Sequence, residues 1–315
     1  MGSRRMGYCP GGRGGVQEGF KRGSRALPLR WPSRFRSAAR PDYNARMRGI
    51  VCIALRTPTL PPADRTNCYV VGHHDALVVD PGSRFEPELD RLRHHMWRLR
   101  GRGGRVAGVV LTHHHVDHVG GAATIAREQD APLLAHPLTL ARLGLPGVPL
   151  DHGQRLVVGP RREVQVVHTP GHTPGHICLL DPERRTLIAG DMVPGIGTTL
   201  VAPPDGDMAL YLRSLQRLVE LHPDLLLPAH GPPLHDAVPA IQRLVAHRLW
   251  REQRILQVLA GSGSDVDLWH ITLAAYDDVS PWILPLASRS TLAHLDKLQQ
   301  EGRVRRGSNG CWLTA

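Results

Sequence analysis

The sequence predicts an α/β sandwich with helix layers around β-sheets, followed by a small C-terminal domain of the winged-helix kind. Three observations carry this. Short apolar segments alternate with amphipathic helical ones over the first two thirds of the chain. Several of those apolar segments end in a polar loop that carries His or Asp. After about residue 233 the order changes to helix, helix, helix, hairpin.

The strands begin with "IVCIAL" (50–55), "NCYVVG" (67–72) and "DALVVDPG" (75–82), the last two separated by the turn-like "GHHD". "EPELDRLRHHMWRLR" (86–100) reads as an amphipathic helix stopped by "GRGG". "VAGVVLT" (106–112) is a fully apolar strand, and "AATIAREQD" (122–130) is a helix opened by Gly120 and Gly121. "APLLAH" (131–136) is the next strand. "REVQVVHTPGHTPGHICLLD" (162–181) gives strand, loop, strand, and "RTLIAGD" (185–191) is a strand ending on Asp191. "DMALYLRSLQRLVEL" (207–221) is a helix, and "DLLLPAHG" (224–231) a strand ending on His230.

The tail holds one long helix (237–259), two further helices ("DLWHITLAAY" and "SRSTLAHLDKLQQEG"), and a hairpin, "RVRRGSNGCWLT", with "NG" near its tip. The expected organisation is a disordered Arg/Gly/Pro-rich tail over 1–47, a catalytic domain over 48–235 and a winged-helix-like domain over 236–315. Met47 is expected to lie nearer the true start than Met1.

The 315 residues carry a formal net charge of +11, which resembles a nucleic-acid footprint. Its distribution argues otherwise. Residues 1–49 hold 12 of the 39 Lys and Arg and only 2 of the 28 acids, so the remainder is almost neutral. The wing cluster Arg303, Arg305 and Arg306 is small, and the preceding helix has a single Lys, so DNA is not an expected partner. No apolar run reaches ~18 residues, so no membrane span is expected. Five cysteines without a CxxC pair fit a reducing compartment, and the expected location is cytoplasmic.

The stretch "LTHHHVDHVGG" (111–121) concentrates the chemistry. His113 and His115, two apart in a loop after a strand, can converge on one cation while His114 points away. Asp117 and His118 can reach a second cation a few Å off. Imidazole and carboxylate donors suit Zn²⁺, and Fe or Mn would also be accepted. Further ligands must come from other strand ends: His168, His172 or His176 in "HTPGHTPGH", Asp191 as a bridging carboxylate, and His230 in "PAHG". In such pairs, ~3.5–4 Å apart, a bridging hydroxide is the nucleophile. Asp117 is the expected catalytic residue, orienting that nucleophile or taking its proton. Asp80 at the end of "ALVVD" is expected to steady a ligand histidine from behind. His136 and His176 are expected either to support the centre or to touch substrate.

These motifs resemble the metallo-β-lactamase superfamily. "THHHVDHVGG" matches its THxHxDHxGG signature, and "TPGHTPGH", "GD" and "PAHG" follow in the family's order across roughly residues 50–235. The resemblance implies the αββα sandwich with two Zn²⁺ at one edge, and His172 as the third histidine ligand. One set would then be His113, His115 and His172, the other Asp117, His118 and His230, with Asp191 between them.

The tail, from "HRLWREQRIL" to "TLAHLDKLQQEGRV", is similar to the winged-helix extension of the β-lactamase-like-protein-2 branch. That branch implies an endoribonuclease acting on single-stranded RNA, and this is the expected function. Its fungal relatives imply instead a thioesterase, as does the glyoxalase II type, which shares the metal ligands. A non-catalytic nucleic-acid-binding protein is the reading from another class, opposed by the complete ligand set. The tail would wall the active-site edge or join two copies in a homodimer. Asp191, where antibiotic lactamases tend to use a Cys or a different second site, argues against β-lactam hydrolysis.

Overall fold

The computed structural model describes residues 47–315 except 263 and 309. The expected N-terminal tail and the Asn309 tip of the hairpin therefore lie outside the described residues.

Two β-sheets stack face to face. The first has the order β1 (Ile50–Arg56), β2 (Arg65–Val71), β3 (Asp75–Val79), β4 (Arg105–Leu111), β5 (Leu133–Ala135) and β6 (Val148–Pro149). The second has the order β11 (Leu225–Pro228), β10 (Thr186–Gly190), β9 (Ile177–Asp181), β8 (Arg162–His168) and β7 (Arg155–Gly159). Each sheet is mixed: β3 to β6 run parallel, as do β10 and β11, and the other pairs are antiparallel.

Strand alternation decides the layers. Leu77 and Val79 point between the sheets with Val110, Val166, Leu179 and Leu227, while Val78 points the other way. The Val78 face of the first sheet is covered by helix α1 (Glu86–Arg100) through Leu89, Leu92, Met96 and Leu99. These recur at helical spacing, and acids begin the helix and arginines end it, as its dipole favours. Two short helices follow β4, α2 (Val116–Val119) and α3 (Ala122–Glu128), and α4 (Pro137–Leu143) follows β5. The outer face of the second sheet is covered by α5 (Met208–Glu220), capped where the Asp207 carboxylate accepts the Leu210 N–H at 2.8 Å. The result is the expected αββα order. The sequence does not predict the short elements α2, α4, β6 and β7, because two to seven residues show no clear period.

The C-terminal part contains α6 (Ala237–Ser262), α7 (Leu268–Ala275), α8 (Leu284–Gln300) and the hairpin β12 (Val304–Arg306) with β13 (Trp312–Thr314). Its core gathers Ile255, Leu259, Ile271, Leu295 and Trp312. Helix α6 serves two cores. Ala237 and Ile241 pack on the second sheet, while Ile255 and Leu259 pack in the C-terminal core. Among the described residues no helix is long and apolar enough to cross a membrane.

Candidate metal centre

The seven residues expected to ligate metal come together at one rim, because each follows the end of a strand. His113 and His115 follow β4, and Asp117 and His118 lie in α2. His172 follows β8, Asp191 follows β10 and His230 follows β11. The chain must turn back at that rim, so side chains from both sheets meet in one place.

Two ligand clusters result: His113, His115, His172 and Asp191 in one, Asp117, His118 and His230 in the other. In the first, His115 Nδ1 lies 3.0 Å from His113 Nε2 and 3.0 Å from His172 Nε2, and the two Nε2 atoms are 3.3 Å apart. In the second, His230 Nε2 is 3.4 Å and His118 Nε2 3.8 Å from Asp117 Oδ2. Asp191 faces both. Its Oδ2 is 3.5 Å from His172 Nε2 and 4.0 Å from His113 Nε2, and its Oδ1 is 3.3 Å from His230 Nε2 and 3.5 Å from His118 Nε2.

The donors fit a metal. Tetrahedral Zn–N bonds place ligand nitrogens ~3.4 Å apart, close to the spacing of the first cluster. Three neutral imidazole lone pairs that close repel one another unless a cation lies among them. His118 Nε2 and Asp191 Oδ1 are buried with no hydrogen-bond partner, and a buried atom left so is costly.

The opposite nitrogens are held by acceptors, which sets each tautomer. His172 Nδ1 donates to the Leu200 carbonyl at 2.8 Å, and His230 Nδ1 to that of Arg65 at 2.9 Å. His118 Nδ1 donates to Asp80 Oδ2 at 2.8 Å. The Thr112 hydroxyl donates to the same Asp80 oxygen at 2.6 Å, so its own oxygen can accept the Nδ1–H of His113 at 3.0 Å. Each of these four histidines thus turns its Nε2 lone pair inward. Asp80, in the left-handed region at φ 50°, also accepts the Thr112 N–H at 2.7 Å. The turn after it packs on the motif. A Cβ on Gly82 would sit 1.8 Å from the Asp117 carbonyl, so only glycine fits there.

Charge divides the clusters. Burial first, then the neighbouring histidines, push His113 well down, and burial chiefly pushes His115 down to about 3. His118 moves the other way: burial opposes, but Asp191, Asp80 and Asp117 together hold it well above its usual value. Asp191 is held well below the carboxylate range by His118 and His230, against its burial. The carboxylates that would keep a proton on His118 would equally favour a metal cation in the proton's place.

The residues expected around the centre take different places. Asp80 stands behind His118 and Thr112. His176 is fully buried: its Nε2 accepts the Asp191 N–H at 3.1 Å and its Nδ1 meets Thr169 Oγ1 at 2.8 Å. It braces Asp191, and no substrate can touch it. His136 stays outside both clusters. It stacks on His168, centroids 4.0 Å apart, and accepts the Leu138 N–H at the start of α4. His114 turns to Asp205 at 3.3 Å, which also pairs with Arg142 at 2.9 Å. Sequence reasoning missed the Thr112 relay and the Leu200 and Arg65 carbonyls. Thr112 is the first residue of the THxHxDHxGG signature and carries a signal in sequence, whereas a backbone carbonyl leaves no trace there.

The chain resembles known proteins in sequence and fold. Residues 61–230 match the Metallo-beta-lactamase superfamily, and residues 268–312 the Beta-lactamase associated winged helix domain. The Beta-lactamase-like protein 2 homolog of Drosophila melanogaster is 29% identical over 253 residues, which is 76% of this chain and 84% of that protein. The Atrochrysone carboxyl ACP thioesterase of Emericella nidulans is 30% identical over 195 residues, covering 62% of this chain and 60% of that one. A Beta-lactamase domain protein from Burkholderia ambifaria, known from its crystal structure, superposes with a TM-score of 0.71 at 25% identity, over 85% of this chain and 92% of its own. By its strand-end histidines, its layers and its tail, this chain belongs to the metallo-β-lactamase superfamily of metal-dependent hydrolases and carries the winged helix associated with it.

Proposed function

We propose that this chain is a binuclear zinc hydrolase whose substrate is an acyl thioester. Asp191 carries the binuclear part, since its two oxygens face two separate histidine sets. Five imidazoles and two carboxylates suit zinc, and Fe or Mn would accept the same donors. Two such cations, when bound, supply hydroxide at neutral pH and positive charge for the oxygen that becomes negative on attack. His113, His115 and His172 would hold the first ion, and Asp117, His118 and His230 the second. Asp117 Oδ2, beside His230, is the carboxylate placed to orient the nucleophile and take its proton. Hydrolysis then forms the acyl C–O bond and breaks C–S. A thiol of pKa ~8.5 leaves as its thiolate without a proton donor.

The surface beside the ligands supports an apolar acyl group. Val116, directly after His115, is 54% exposed, and Leu138, whose Cβ lies against Gly175 of the His172 loop, is 50% exposed. Two arginines of this rim are engaged: Arg142 with Asp205, Arg65 with Asp64 and Glu88. A relative named as a carrier-protein thioesterase points the same way. Single-stranded RNA is the second reading, favoured by the winged-helix match and by the 84% coverage of the Drosophila relative.

The test presents acyl-coenzyme A thioesters and labelled single-stranded RNA to the zinc-loaded protein, with Asp191→Ala beside it. Thiol release that disappears in the variant is expected. RNA cleavage without thiol release would replace the thioester reading with the RNA one.

A further inference from the structure

Arg248 lies in the middle of α6 and is 3% exposed. Its Nη2 donates to the Thr199 carbonyl and, at 3.2 Å, meets Thr198 Oγ1. Its Cζ stands 5.5 Å from the centre of the Tyr211 ring. Among the described residues these partners are all neutral, and its Nε is buried without any. A guanidinium buried without a carboxylate carries a large desolvation cost, so its retention calls for a reason.

The reason lies one bond further on. Thr199 Oγ1 donates to the Asp191 carbonyl at 2.8 Å. The next residue, Leu200, supplies the carbonyl that fixes the tautomer of His172. The Tyr211 hydroxyl donates to the Met192 carbonyl at 2.7 Å, immediately after Asp191. Arg248 therefore grips both Thr199 and Tyr211, whose own bonds end on the carbonyls of Asp191 and of the residue after it, Met192. Helix α6 itself is shared between the second sheet and the C-terminal core.

We propose that Arg248 is a positioning residue through which the C-terminal domain sets the geometry of Asp191 and His172, an inference that rests on the metal centre described above. Helix α6, which packs in both the second-sheet core and the C-terminal core, is then part of the frame of the centre. Its docking and the placement of these two ligands are coupled through one side chain and the segment 198–200.

The test uses the full chain, stripped of metal, as wild type, Arg248→Met and Thr199→Val. Methionine keeps the aliphatic packing and removes the donors. Valine keeps the carbonyl that Arg248 uses and removes the hydroxyl that reaches Asp191. Zinc affinity is read by competition with a chromophoric chelator, and ligand geometry by the visible absorption of the cobalt-loaded protein.

Arg248→Met is expected to bind zinc roughly 10–100-fold more weakly, the scale for losing a group that orients a ligand, with an altered cobalt spectrum. A folded Arg248→Met with wild-type affinity and an unchanged spectrum overturns the proposal. If circular dichroism shows that this variant does not fold, Thr199→Val decides: weaker binding with a changed spectrum supports the relay, and wild-type values overturn it. A wild type that takes up fewer than two zinc equivalents sinks the binuclear reading itself, a failure distinct from that of the relay.

Discussion

Two buried clusters of charged and titratable side chains differ in how they are finished. In the C-terminal domain Glu252 meets Lys297 at 2.9 Å, His294 at 3.4 Å and Arg303 at 3.5 Å, so its charge is answered from three sides. There His294 Nε2 is the atom left over. At the sandwich rim, imidazole nitrogens face one another at 3.0–3.3 Å, and His118 Nε2 and Asp191 Oδ1 face nothing that completes them. The first is a clasp that supplies its own counter-charges. The second is a socket that needs a cation from outside. Burial does not separate them; the Lys and Arg present only in the first, and the inward lone pairs of the second, do.

The largest effect belongs to the socket. Asp191→Ala should lower activity by on the order of 10³-fold, the scale of removing a preorganised group from a catalytic centre, and metal analysis should find fewer than two ions per chain. A variant that keeps two ions would mean that Asp191 does not bridge.

Next comes the clasp. Glu252→Ala removes the buried carboxylate of Lys297, which keeps only the exposed Glu301 at 2.8 Å, and the acceptor beside His294, and should cost about 3 kcal/mol in urea unfolding. Its metal content should stay at the wild-type value. If metal is lost while stability is kept, the contrast between the two clusters fails.

Asp80→Asn sharpens the contrast from behind the socket. It weakens the acceptor shared by His118 and Thr112, and zinc should bind roughly 10–100-fold more weakly. Chelator competition reads this directly, and unchanged binding would make Asp80 a fold element only.

The smallest effect is one of pH. Burial, helped by Arg248 and Arg251, pushes His247 on α6 from 6.5 down to about 4. In the unfolded chain it takes a proton near 6.5, which the folded chain refuses until about pH 4. Its contribution is therefore complete above pH 6.5 and is eroded as pH falls through that window. His294, also lowered by burial, acts in the same direction. His247→Gln should flatten the fall in unfolding midpoint between pH 7 and 5. An equally steep fall would assign the dependence to other groups.

How much of this was legible in the sequence depended on length and period. Helix α1 carries four apolar residues at helical spacing, enough to predict its bounds, whereas α4, with seven residues, is too short to show a period. The HxHxDH stretch was legible because its spacing after a strand is itself a geometry. His176 could not be separated from a substrate-facing residue, since nothing local shows that Gly190 packs on its ring: a Cβ there would stand 2.5 Å from Nε2. His136 shared the strand-end position of the ligands, but stacking on His168 took it elsewhere.

By itself the sequence determined the alternation of strands and helices, the helix-helix-helix-hairpin tail, and which residue types gather at strand ends, because periodicity and turn chemistry are local properties of the chain. Tertiary structure alone decided that Asp191 divides its oxygens between two sets and that Leu200 and Arg65 lend carbonyls to His172 and His230. It alone brought Arg248 of the C-terminal helix onto Thr199. Those contacts join residues 19 to 165 positions apart, and several pass through backbone atoms. Every residue carries the same carbonyl, so only the folded chain can say which one is used.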